Sequence, residues 1–264
     1  MNISELYIHP LKSARGVPVR EMPLDDHGPV GDRRWMLVDA TGLMVSQRDY
    51  PHMALIGAER NGDGLICAAP GMPVLHATIP QAGATARLAA IVWDNEVEVQ
   101  LAADEAHAWF SQYLGGECRL VYQPDDAFRQ VNRIYAPKGT GVSLADGFPL
   151  LLIGQGSLDD LNRRLEPPIE MRRFRPNLVV TGSEAFEEDS WREIRVGELA
   201  FSLVKPCARC SIPSVDPETG KMGNEPMRTL ATYRRRGNDI FFGWNVLPRT
   251  IGTIRIGDPV EILS

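Results

Sequence analysis

The chain has 264 residues and a net charge of −6. That length buries a sizeable core, in one large domain or two intimate ones. The negative balance excludes bulk-charge attraction to a nucleic-acid polymer or an anionic membrane. No apolar run approaches the ~18 residues of a membrane span. The opening Met1-Asn2-Ile3-Ser4-Glu5-Leu6 has neither a basic start nor an apolar stretch of the secretory kind. A cytoplasmic protein is expected, with neither nucleic acid nor membrane as partner. Of the 28 basic residues, 24 are arginine and four are lysine (Lys12, Lys138, Lys205, Lys221). Arginine forks bind carboxylate and phosphate in a bidentate way. A GC-rich genome would produce the same bias.

The first hundred residues read as short strands with turn punctuation. Ile3 to Ile8 is a strand candidate ended at Pro10, and Val17 to Met22 half-alternates. Asp25-Asp26-His27-Gly28 is a turn. Arg34 to Asp39 is a strand closed by Thr41-Gly42, with Leu43 to Gln47 as its hairpin partner. Further strands are expected at Met53 to Glu59, Gly64 to Ala68, Val74 to Ile79 and Val92 to Leu101. Repeated short strands with Gly, Pro and Asp turns argue for a β-barrel or sandwich.

Ala103 to Leu114 breaks the pattern, with apolar residues at helical spacing and Gly115-Gly116 as a stop. Cys118 to Tyr122 resumes as a strand, and residues 123–142 are polar and loop-like. Leu150 to Ile153 is a buried strand. Ser157 is expected to cap a helix through Leu165. Leu178 to Gly182 is a strand, Glu184 to Asp189 an acidic surface loop, and Ile194 to Leu199 a hairpin feeding Phe201 to Val204. Pro226 opens a short helix to Tyr233, whose end carries the solvated Arg234-Arg235-Arg236. Ile240 to Leu247 and Thr253 to Leu263 close the chain as strands.

Four cysteines are present. Cys67 and Cys118 lie in strand-like apolar surroundings and read as buried small hydrophobes. The other two form Lys205-Pro206-Cys207-Ala208-Arg209-Cys210. A structural zinc needs four ligands and there is no second pair. A thioredoxin-like pair should open a helix, but Pro213 and Pro217 interrupt the residues after Cys210. Spacing therefore leaves a single thiolate metal ligand or two buried thiols. The five histidines are scattered without His-x-x-x-His spacing, which disfavours a histidine-built metal site. Lys12-Ser13, Arg33, Arg175, Asn177 and Arg209 sit beside turns and strand ends, as phosphate-binding donors outside a glycine-rich loop would. Each alone also suits a solvated surface charge or an ion pair.

Several stretches together resemble the MOSC family, specifically bacterial proteins with an N-terminal MOSC β-barrel related to the mitochondrial amidoxime-reducing component. They are Tyr7 to Ser13, Gly31 to Val38, Ser46-Gln47-Arg48, Phe174-Arg175-Pro176-Asn177 and Cys207 to Gly220, in that order. Asp189-Ser190-Trp191, Phe242-Gly243 and Gly257 to Val260 add to them. The resemblance covers essentially the whole chain. It implies a mainly β fold with a few helices: an N-terminal MOSC β-barrel lobe over residues 1–120 and a MOSC β-barrel domain over 121–264.

The resemblance also implies a molybdenum cofactor (molybdopterin with Mo) between the lobes, with Cys210 as metal ligand. Lys12, Ser13, Arg33, Arg175, Asn177, Ala208, Arg209 and Asn245 match cofactor-binding positions. Asp146 matches an acidic residue near the metal and, with Cys210, a catalytic position. Ala208 stands where some relatives have serine, and Gly147 where some have threonine. The implied activity is reduction of N-hydroxylated small molecules (hydroxylamines, amidoximes, N-hydroxylated nucleobases), an N-reductive detoxification independent of pyridoxal phosphate. With no cysteines left for an iron–sulfur cluster before the chain ends at Ser264, an external electron-transfer protein is implied: a flavoprotein, or a ferredoxin-like or flavodoxin-like protein. The alternative is a carrier of cofactor or sulfur that uses Cys210.

Overall fold

The structure, a computed structural model, describes residues 1–264 apart from 82, 84 and 85. The fold is mainly β, as the short-strand pattern predicts. The largest sheet runs, in spatial order, Val260–Ile262, Glu193–Val196, Leu199–Ala208, Asp239–Pro248, Leu150–Gly154, Leu178–Thr181, Asn2–Ile8 and Val17–Val19, with Arg235–Arg236 paired to Asp239–Pro248 off this path. Leu150–Gly154 and Leu178–Thr181 pair in parallel, and the helix Gln155–Asn162 lies in the connection between them. A four-stranded sheet joins Trp35–Val38, Arg119–Tyr122, Asn95–Leu101 and Arg87–Val92. Gly57–Asn61, Gly64–Ala68 and Leu75–Thr78 form a three-stranded meander. Glu21–Asp25 pairs with both Gly28–Pro29 and Thr253–Arg255. No described helix is long and apolar enough to cross a membrane.

The first strand is a tie between distant parts of the chain. Asn2–Ile8 pairs antiparallel with Leu178–Thr181, register Leu6 to Leu178. It therefore delivers the following Lys12-Ser13 turn to the neighbourhood of Arg175 and Asn177. Apolar residues sort into separate cores. Trp35, Met53, Phe110 and Leu120 belong to one beneath the helix Asp104–Leu114, where Cys67 and Cys118 are buried as expected. Ile3, Leu6, Leu152, Leu178, Trp191 and Val246 belong to another on the large sheet.

Several elements depart from the sequence reading. Leu43 to Gln47 is not a strand: Met44 makes one bridge to Val38 and Leu43 one to Ile91. The segment from Met53 is first a 3-10 helix, Pro51–Leu55, because Pro51 suits a helix start, and the strand begins only at Gly57. Val92 to Leu101 is the far half of a hairpin, with Trp93-Asp94 as its turn and Arg87–Val92 as its partner. Ser157 lies inside the helix Gln155–Asn162, not at its cap, and its hydroxyl donates to Glu188 at 2.7 Å. Glu188 is itself buried, so Glu184 to Asp189 is not wholly a surface loop. Arg235 and Arg236 lie in a short β-hairpin, not on a helix end; the helix is only Met227–Leu230.

Candidate cofactor and active site

The strand Leu199–Ala208 runs beside Asp239–Pro248 with two register shifts, between Leu203 and Lys205 and between Pro206 and Ala208. Such bulges bend a strand and re-aim its side chains. The ladder stops at Ala208, and the 3-10 turn Ile212–Ser214 takes over, with Pro213 unable to donate to a sheet. Cys207 to Cys210 is thereby turned toward a cavity of about 330 Å³. Lys12, Ser13, Arg33, Asp146 and Arg175 line this cavity. So do Asn177, Ala208, Arg209, Cys210 and Asn245. The residues singled out from the sequence thus converge in space, although they come from widely separated stretches of chain.

Backbone strain concentrates at the same place. Five described non-glycine residues have positive φ: Ser13, Arg33, Trp93, Arg175 and Phe186. All but Phe186 line the cavity. Left-handed backbone at a side-chain-bearing residue costs of order 1 kcal/mol or more and persists only where the surroundings enforce it. At Arg33, the enforcement is a buried polar cluster. Asp32, fully buried, accepts from the His9 amide at 2.7 Å and from Asn177 Nδ2 at 3.2 Å. Arg33 Nη1 donates to Asp32 Oδ2 at 2.5 Å and to Asn177 Oδ1 at 3.3 Å, while Nη2 donates to the Arg175 carbonyl at 3.3 Å. Burial raises the Asp32 carboxyl's pKa, but the Arg33 charge and the His9 and Arg33 hydrogen bonds outweigh it and bring it to about 2.

Asn177, which lines the cavity, also has its side-chain amide engaged within the protein. Its amide also donates to the Tyr7 carbonyl at 3.1 Å and its Oδ1 accepts from the Leu151 amide at 3.2 Å. With these bonds made inside the protein, Asn177 fixes the strands and Arg33 around the cavity. Arg175, half-buried, donates to the Ala14 carbonyl. Arg209 Nη2 donates to the Phe174 carbonyl at 2.7 Å, and its Nη1 lies 3.2 Å from Cys207 Sγ. The two cysteines therefore have different settings: Cys207 is engaged by Arg209, while Cys210 lies between the end of the strand and the Ile212–Ser214 turn.

Across the cavity stands an ion pair. Lys12, almost fully buried, donates to Asp146 Oδ1 at 2.5 Å and to the Leu144 carbonyl at 2.9 Å. Trp93 Nε1 reaches the same carboxylate oxygen at 3.1 Å. Desolvation raises the Asp146 pKa; the Lys12 charge and hydrogen bond, the Trp93 bond and the Arg33 charge hold it well below the carboxylate range. The side chain is 65 % exposed toward the open cavity, which weakens the desolvation. Burial lowers the Lys12 pKa while Asp146 opposes that.

Trp93, Lys205 and Phe148 also line the cavity and were not among the expected site residues. The Trp-Asp-Asn run is a turn signal that could have exposed Trp93. Arg129, another omission, is buried and donates to the carbonyls of Ser143 at 3.0 Å and Asp146 at 2.9 Å. It pins the backbone under Asp146, and nothing in its loop-like sequence context signals this.

The lining sets five basic groups (Lys12, Arg33, Arg175, Lys205, Arg209) against one carboxylate, Asp146. Arg209 Nε is buried without a partner among the described residues. This donor set suits an anionic, phosphate-bearing group. No described cluster of three or more His, Cys, Asp or Glu side chains could hold a bare metal ion. A metal bound at Cys210 must therefore bring its other ligands with it.

Comparison with known proteins gives the family of the chain. Residues 1–117 match the MOSC N-terminal beta barrel domain, and residues 139–261 match the MOSC domain. The chain is 33 % identical to rat mitochondrial amidoxime reducing component 2 over 277 residues, covering 98 % of this chain and 82 % of the relative. It is 33 % identical to human mitochondrial amidoxime-reducing component 1 over 280 residues, covering 99 % and 83 %. Among solved structures, YiiM from Geobacillus stearothermophilus aligns at 16 % identity with a TM-score of 0.34 over 44 % of this chain and 55 % of that one, too distant to bear on the site. The chain belongs to the MOSC-domain family, among the proteins that carry the N-terminal MOSC barrel and include the mitochondrial amidoxime-reducing components.

Proposed function

We propose that this protein is a molybdenum-cofactor-dependent oxidoreductase that reduces N-hydroxylated small molecules with electrons from an external donor. One observation carries the reading: the Cys210 thiol shares a single strained cavity with five basic side chains and one carboxylate. The similarity to amidoxime-reducing components supports the substrate class. Cys210 would hold the metal. Lys12, Ser13, Arg33, Arg175, Arg209 and Asn245, with the Ala208 backbone, would hold the pterin and its phosphate. Asn177 would act by fixing Arg33.

The bound cofactor supplies two-electron redox chemistry. In the overall reaction, R–NHOH takes two electrons and two protons, the N–O bond breaks, and R–NH2 and water leave. Asp146, held ionised by Lys12, is a hydrogen-bond acceptor at neutral pH. It orients the substrate's N–H or O–H and is not the group that gives up a proton. Cys67 and Cys118 are buried in the core, so only Cys207 and Cys210 remain near the site. In this reading the electrons come from a separate electron-transfer protein.

The test is reduction of benzamidoxime by the purified, cofactor-loaded protein with reduced viologen. Turnover to benzamidine is expected. Transfer of sulfur or cofactor to an acceptor protein without turnover would overturn the enzyme reading in favour of a carrier.

A further inference from the structure

Trp93 opens the two-residue turn between Arg87–Val92 and Asn95–Leu101, across which Val92 pairs with Asn95. Turns of this kind place their first residue at positive φ and favour Asn, Asp or Gly there. Trp93 adopts φ 57°. A large aromatic is an unusual occupant of that conformation. Burial does not explain it, because the side chain is 44 % exposed.

Polar contacts from three directions hold the residue instead. Its indole N–H donates to Asp146 Oδ1 at 3.1 Å. The Arg48 guanidinium lies 4.1 Å from the ring centroid, and Arg48 Nε is itself anchored on Ser46 Oγ at 3.1 Å. The turn's closing residue, Asn95, accepts from Arg129 at 3.2 Å, and that buried arginine also donates to the Asp146 carbonyl. The exposed indole is thus locked in register with Asp146 on the cavity wall. Backbone strain held by converging contacts at a cavity points to a function for the side chain.

We infer that Trp93 is a substrate-positioning and specificity-determining residue. Its indole forms the wall on which the flat ring of an aryl amidoxime or aryl hydroxylamine stacks, while its N–H holds Asp146 toward the N–OH group. Aromatic faces prefer offset or edge contacts with other rings and gain little from a methyl group. The wall therefore selects aromatic over small aliphatic N-hydroxylated substrates. This assignment rests on the proposed function.

The test compares wild type with Trp93→Gly and Trp93→Phe, all cofactor-loaded, on benzamidoxime and acetamidoxime. Two readouts are used: kcat and KM, and calorimetric binding of each amidoxime. Trp93→Gly removes the wall and relieves the backbone, so the Tm should not fall while the preference for benzamidoxime over acetamidoxime drops about tenfold, mostly in KM. Trp93→Phe should retain most of the preference but lose the Asp146 hydrogen bond, moving the acidic limb of the pH profile upward. Trp93→Asn, which also tolerates positive φ, repeats the comparison should the glycine loosen the turn. An unchanged preference in both Trp93→Gly and Trp93→Asn would overturn the inference. Should wild type bind benzamidoxime with a Trp93-dependent preference yet turn over neither compound, the proposed function falls and the wall stands.

Discussion

Lys12 Nζ and Asp146 Oδ1 stand 2.5 Å apart, joining a buried ammonium on the first turn of the chain to a carboxylate that opens on the cavity. Lys12 keeps one further acceptor, the Leu144 carbonyl. Replacing Asp146 with Asn removes the counter-ion but leaves an acceptor. Because the nearly buried Lys12 ammonium would lose its counter-ion, with the exposed carboxylate moderating the effect, the stability loss should be about 2 kcal/mol. Turnover should fall about a hundredfold through lost substrate orientation. Thermal unfolding and steady-state kinetics of Asp146→Asn separate the two effects.

Asn177 and Arg175 bracket Pro176 but should fail in different ways. Asn177→Ala removes a side-chain partner from the Leu151 amide, the Tyr7 carbonyl, Asp32 and Arg33, the last two keeping each other, and should cost roughly 3 kcal/mol. Urea unfolding reads this directly, and cofactor loss would accompany it. Arg175→Met gives up one bond to the Ala14 carbonyl at a half-buried position. Its stability should change by less than about 1 kcal/mol while cofactor retention falls sharply.

His9 makes stability pH-dependent above the carboxylate range. Burial, followed by the charges of Arg33 and Arg175, lowers its pKa to about 3. An unfolded histidine titrates near 6.5. Between these values only the unfolded chain binds the proton, so the contribution is complete above about pH 6.5 and is lost as pH falls toward 3. Wild type should lose about 1 kcal/mol between pH 7 and 5.5. His9→Gln should flatten that interval. Asp32, with its folded pKa of about 2, adds a second decline only below about pH 4. Chemical unfolding at pH 7, 5.5, 4 and 2.5, with His9→Gln alongside, checks the order of the two phases.

Gly147 and Ala208 lack side chains that some relatives possess, and the structure has room for them. A Cβ at Gly147 meets nothing within 4 Å, and Ala208 is exposed. Gly147→Thr and Ala208→Ser should therefore change stability by less than about 0.5 kcal/mol. Both add a hydroxyl to the cavity lining and should slow cofactor loss on dilution.

The fold class and the site were legible in the sequence for different reasons. Short apolar runs bounded by turn residues, such as Gly64–Ala68 after Asn61 to Asp63, mark strands. Trp93 is hidden because a strand-like run flanks the weak Asp94-Asn95 turn signal on both sides, and the pairing of Val92 with Asn95 makes the hairpin plain. Cys207 and Cys210 were inseparable by spacing; the resemblance assigned the ligand role to Cys210, and Arg209 donating to Cys207 Sγ gives the other thiol a distinct setting. The internal commitment of the Asn177 amide and the reach of Arg129 under Asp146 depend on contacts far apart in sequence. No local pattern encodes such contacts.

Molybdenum content per chain, measured on protein from a cofactor-replete host, reports on Cys210 as the metal ligand. Wild type and Cys207→Ala should carry about one molybdenum per chain, whereas Cys210→Ala should retain little metal with an unchanged Tm. Molybdenum at the wild-type level in a folded Cys210→Ala protein would rule out Cys210 as the ligand.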